Sequence, residues 1–167
     1  MKKIIVFLLI FTFAFSLASC ADTGDNGTSE ETVSEEAVYT ASEAAQAMVS
    51  KLSFDGDLEL SETPFNTLEK YDVDTSGITD IAWYVGSGAA ADELAVIKCA
   101  SEETFKSVED AVNARIEYLK EGYSDYGPDQ VPKIENACVK GYSNEVLVYC
   151  ICSDSSEAGN MADEMFG

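Results

Sequence analysis

Apolar residues recur along the chain in two rhythms, and the rhythms lay out its elements. The helical rhythm comes first. Ala45, Met48, Val49 and Leu52 fall on one face, and Thr40 and Glu43 stand at capping-box spacing, so a helix is predicted from Thr40. Thr63-Pro64 predicts a second, short helix with proline in its first turn and Phe65, Leu68 and Tyr71 turned inward. The period then changes to two. Ile81, Trp83 and Val85 alternate with Ala82 and Tyr84, which predicts a strand over 78–85. Residues 93–99 predict a second strand, and the break at Gly86-Ser87-Gly88 makes the two a hairpin.

Ser101, followed by Glu102 and Glu103, is a good start for the longest helix. Its stripe is Phe105, Val108, Val112, Ile116, Leu119 and Tyr123, and Gly122 and Tyr126-Gly127-Pro128 end it. A second hairpin is predicted from 134–140 and 145–152 around the turn-rich Gly141-Tyr142-Ser143-Asn144. Asp154 or Ser155 then caps a last helix with Ala158, Met161, Ala162 and Met165 inward, weakened by Gly159. The order α-α-ββ-α-ββ-α gives an α+β fold: a two-layer sandwich, with a four-stranded antiparallel sheet and helices on one face. Two hairpins around a helix also suggest a weak duplication of a ββα unit.

Ahead of this pattern the chain changes character. Lys2 and Lys3 precede an apolar run from Ile4 to Leu17, broken only by Thr12 and Ser16. The run is short of the ~20 residues a membrane-spanning helix needs, and its positive flank fits a cleaved signal peptide. It ends in Leu17-Ala18-Ser19-Cys20, which resembles the lipobox of bacterial lipoproteins. That resemblance implies cleavage before Cys20 and a diacylglycerol on its thiol. The expected organisation is a signal peptide over 1–19, a lipidated acidic tether over 20–39 and one domain over 40–167. The tether is rich in Glu, Asp, Ser and Thr without Lys or Arg. It lacks the apolar surface to offset its ordering entropy, and its average reach is roughly 25 Å.

Charge narrows the partners. The formal net charge is -21, from 10 basic and 31 acidic residues. Loss of Lys2 and Lys3 with the signal leaves eight basic residues against the 31 acidic ones, about -23. So acidic a chain repels phosphate backbones, which argues against nucleic acid as a partner. Histidine is absent, which removes His-based nucleophile systems and the commonest zinc ligand.

The stretch YDVDTSGITD, 71–80, has nearly the spacing of a calcium loop. Asp72, Asp74, Ser76, Gly77 and Asp80 match positions one, three, five, six and nine, but position twelve is Trp83 where the loop needs a bidentate glutamate. The simpler reading is a turn whose side chains satisfy free backbone groups, with Gly77 in a left-handed conformation. Cys99, Cys138, Cys150 and Cys152 fall in predicted strands. They read as buried thiols or as a disulfide pair. Cys150 and Cys152 share a face, at a spacing poorly suited to bridging one another. Asp92 and Glu93 as a catalytic pair are disfavoured, since neighbours at a strand start point to opposite faces. Arg115, the only arginine, is expected to hold a carboxylate within the protein. Trp83, Tyr84, Tyr118, Tyr123, Tyr126 and Tyr142 offer stacking surfaces, though such residues more often pack half-buried.

The blocks FNTLEKYDVDTSGITD, ADELAVIK, AVNARIEYLKEGYSDYGPDQVPKIENA and KGYSNEVLVYC, in that order, cover most of residues 64–152. Together they resemble a family of short lipoproteins of clostridial-type Gram-positive bacteria, known as a domain of unknown function. The resemblance implies a plain turn at 71–80, and since that family has no assigned activity it carries no catalytic residue over to this chain. The expected function is a non-enzymatic, lipid-anchored module on the extracytoplasmic face of the cell membrane. It would bind a protein, peptide or cell-wall partner and need no cofactor. A calcium-dependent module on the 72–80 loop is the alternative, and an envelope hydrolase ranks last.

Overall fold

The computed structural model describes residues 39–167. The predicted signal, Cys20 and nearly all of the tether lie outside the described residues. The elements are α1 (Ala41–Lys51), β1 (Leu58–Leu60), α2 (Pro64–Glu69), β2 (Ile78–Gly86), β3 (Glu93–Cys99), α3 (Glu102–Tyr126), α4 (Val131–Glu135), β4 (Cys138–Gly141), β5 (Val146–Ile151) and α5 (Ser155–Phe166). The fold is α+β with an antiparallel sheet, as the pattern predicts.

The helix caps are those the sequence marks. Thr40 and Glu43 close a reciprocal capping box on α1. Ser101 accepts from the Thr104 N–H at 3.2 Å on α3, and Asp154 accepts from the Ser156 and Glu157 N–H groups on α5. Such caps each contribute about 1 kcal/mol.

The sheet has five strands, not four, in the order β1-β2-β3-β5-β4. The added strand reads Leu-Glu-Leu and is too short for an alternation to show. β4 begins at Cys138 and not at Ile134. Pro132 sits in the first turn of the short helix α4 instead, where its fixed φ suits the helix and its missing N–H costs nothing.

Helices cover both faces of the sheet, so the expected two layers are three. α1 and α5 pack on one face against Ala82, Leu94, Val96, Val148 and Cys150. α2, α3 and α4 cover the other, over Trp83, Ala95, Ile97, Leu147, Tyr149 and Ile151. The reason lies in the central strands. β5 is buried at every position and β3 at all but Lys98, so neither has a solvent face. Unbroken apolar runs of this kind mark strands enclosed between two layers.

The two hairpins meet through β3 and β5, antiparallel. A two-fold axis normal to the sheet would relate them, but it would place the following helices on one face. α3 and α5 lie on opposite faces, so the suggested duplication does not extend to the helices.

Candidate functional site

Charged groups inside the domain gather where β3 begins. Asp92 and Glu93 are both buried, at 1% and 4% exposure, and they take separate partners. Glu93 accepts from Arg115 through both guanidinium Nε, at 3.2 Å, and an Nη. It also accepts from the Tyr149 hydroxyl at 3.2 Å. Arg115 therefore pairs within the protein, as its position on α3 suggests. Burial works against the guanidinium charge, but the Glu93 carboxylate more than compensates and holds its pKa above the ordinary value. Burial and the same carboxylate push the Tyr149 phenol well up. The Tyr149 ring packs edge-on to Trp83 at 5.9 Å, which fixes the hydroxyl under Glu93.

Asp92 faces a different set. One oxygen accepts from the Asp55 and Gly56 N–H groups at 2.8 and 3.1 Å, and the other from Lys133 Nζ at 2.6 Å. Lys133 reaches Asp55 as well, at 2.6 Å. The Lys133 bond holds the Asp55 carboxyl below its ordinary pKa. Asp55 and Lys133 are 78 positions apart, and no local pattern in the sequence links them. Every charge in this cluster has an opposite charge against it, the arrangement of a fixed scaffold and not of a poised acid–base pair.

Lys133 and Asp55 also line a surface hollow of about 420 Å³, together with Cys152, Ser153 and Asp154 just before α5. This is where buried charge and thiol come together. Cys138, Cys150 and Cys152 lie on the α1/α5 face, and Cys99 lies on the other. All four are buried free thiols. Burial, with Glu145 nearby, pushes the Cys99 thiol up to about 11.

The 72–80 loop distributes its ligands. Asp72, Asp74 and Ser76 line a hollow with Glu103 and Thr104. Asp80 is spent elsewhere: its carboxylate accepts from the Ala41 N–H at 2.8 Å, at the positive end of α1. Asp74 accepts from the Ser76 N–H at 3.0 Å, which makes it the cap of a single 3₁₀ turn, and the Ser76 side chain together with that N–H lowers its pKa. The left-handed residue of the turn is Asp72, at φ 60°, and not Gly77. Gly77 is needed for room, since a Cβ there would meet Thr104 Oγ1 at 2.3 Å. Among the described residues, no three His, Cys, Asp or Glu side chains group as a metal ion requires.

The aromatic residues do not form one surface. Trp83 and Tyr123 are core residues, whereas Tyr118 and Tyr126 are exposed on α3. Among the described residues no helix is long and apolar enough to cross a membrane.

Comparison with curated proteins and with solved structures finds no match to the chain. A family profile does match, over residues 55–152, from the Asp55 that holds Lys133 to the Cys152 on the same hollow. That span exceeds half of the 167 residues, and the chain belongs to the family described as a domain of unknown function (DUF4358).

Proposed function

We propose that the protein is a lipid-anchored, extracytoplasmic binding or accessory module at the cell envelope, held to the membrane through Cys20. The observation that carries this reading is the run of Lys2-Lys3, the apolar segment 4–17 and Leu17-Ala18-Ser19-Cys20. The acidic stretch that follows would carry the domain clear of the bilayer. Within the domain the buried charges are consumed by one another, which supports a binding role over a catalytic one. Its partner is a protein, a peptide or a wall component, since an acidic surface disfavours phosphate polymers.

The alternative, calcium-dependent binding at 72–80, has in its favour that Asp72, Asp74 and Ser76 line one hollow. Against it stand the engagement of Asp80 by α1 and the tryptophan where a closing glutamate belongs.

The test of the anchor is metabolic labelling with an alkyne fatty acid in a Gram-positive host. The wild-type chain is expected to carry the label and to sediment with membranes. Cys20→Ala is expected to lose the label. Equal labelling of both proteins, or none of either, would overturn the assignment.

A further inference from the structure

The sheet has two open edges, β1 and β4, and they differ. In an antiparallel pair, the N–H and C=O of alternate residues turn toward the neighbouring strand, and those of the residues between turn away. The Ser61 N–H donates to the Trp83 carbonyl at 2.8 Å, and the Ser87 N–H donates to the Asp57 carbonyl at 3.3 Å. Glu59 pairs with Val85 in the same register, so the odd-numbered residues of this segment face β2. The backbone N–H and C=O groups of Leu58 and Leu60 therefore turn outward, where the sheet has no further strand.

The side chains around this edge fit a particular partner. Large apolar groups are exposed: Leu60 on the strand at 51%, and Phe65 in the first turn of α2 at 39%. β4 exposes no large apolar side chain and carries Lys140, a residue type that blunts an open edge. Charge is the second feature. Residues 52–69 hold Asp55, Asp57, Glu59, Glu62 and Glu69 and no Lys or Arg, and all five acids are exposed. A second copy of the chain would bring the same acids against them, which closes the edge to self-pairing.

We propose that β1 takes up an extended, lysine- or arginine-rich segment of another protein as a sixth strand of the sheet. The outward N–H and C=O groups of Leu58 and Leu60 supply the hydrogen bonds. Alternation sets the pattern of the incoming segment. Residues opposite Leu58 and Leu60 lie on their face and are apolar, and residues opposite Asp57 and Glu59 lie on the other face and are basic. This inference rests on the binding-module reading, whose partner it names, and not on the anchor at Cys20.

The experiment adds a blocked peptide of three Lys-Val repeats to the isotope-labelled full-length chain and follows amide hydrogen exchange by NMR. The Leu58 and Leu60 amides are expected to exchange freely without peptide, and to slow ~100-fold at a ~100-fold excess over its dissociation constant. The Glu-Val counterpart is expected not to bind. Full N-methylation of the Lys-Val peptide keeps its charge and is expected to abolish the protection. Leu60→Pro removes an N–H that β2 does not use, so the chain is expected to fold and to bind about tenfold more weakly, the scale of one lost hydrogen bond and its apolar contact. Equal binding of the N-methylated peptide would reduce the effect to charge attraction and overturn the added strand. Protection confined to other amides would overturn this surface and leave the binding reading in place. Absence of binding, or equal binding of the acidic peptide, would overturn the partner class. Should Leu60→Pro fail to fold, the wild-type exchange pattern decides alone.

Discussion

Asp74 and Asp80, in the acidic stretch 72–80, have backbone N–H groups for partners, whereas Asp92 and Glu93 are buried and each holds a cation. The first group resembles a ligand site in sequence and serves the backbone in the fold. The second has no motif, yet it ties α3 and α4 to the start of β3. Spacing along a chain costs nothing to satisfy by chance. A buried charge is expensive unless partners meet it, so its presence is the stronger sign of a constrained site.

The contrast can be broken at Arg115. Arg115→Met leaves the Glu93 carboxylate buried with only the Tyr149 hydroxyl, and the expected loss is about 3–5 kcal/mol. Urea unfolding followed by Trp83 emission measures it. A loss below about 1 kcal/mol, the scale of an exposed pair, would show that water reaches Glu93.

Tyr149→Phe keeps the ring against Trp83 and removes one hydrogen bond to a charged group, with an expected loss of about 1.5–3 kcal/mol. It also changes the alkaline limb. In the unfolded chain this phenol ionises near pH ~10, whereas in the fold burial and Glu93 keep it protonated well above that. The folded state binds the proton more tightly, so its contribution is full below pH ~10 and is lost as pH rises beyond. Stability of the wild type should fall above that point more steeply than that of Tyr149→Phe. Parallel curves would remove the phenol from the alkaline transition.

The smallest effect is expected at the other acidic stretch. Ca²⁺ and Mg²⁺ should raise the melting temperature of the full chain slightly and equally, by screening its charge. Specific binding to the folded state would add ~2.7 kcal/mol at a hundredfold excess over the dissociation constant. A Ca²⁺-specific rise abolished by Asp72→Asn/Asp74→Asn would reinstate the calcium reading.

Much of the fold is legible in the residues. Thr40, Ser101 and Asp154 cap the helices they announce, and β2, β3 and β5 lie within a residue or two of their predicted ends. The departures have local causes. Leu58–Leu60 is too short for any period, and Pro132 turns an apolar strand-like run into one helical turn. The third layer had a signal in Leu94–Ile97 and Val146–Ile151, which run apolar without alternating. The site is less legible. Arg115 stood out as the only arginine and Glu93 as a neighbour of Asp92, but nothing in the sequence paired them, and Asp55 and Lys133 carried no mark at all.

The sequence by itself determined most of the elements, the class of fold, the family and the acidity, because periodicity, caps and charge are properties of neighbouring residues. Only the tertiary structure decided that β3 and β5 meet at the centre, that Asp80 serves α1, and that Lys133 stands between Asp55 and Asp92. These are contacts between distant segments, and their energies exist only once the chain has closed around them.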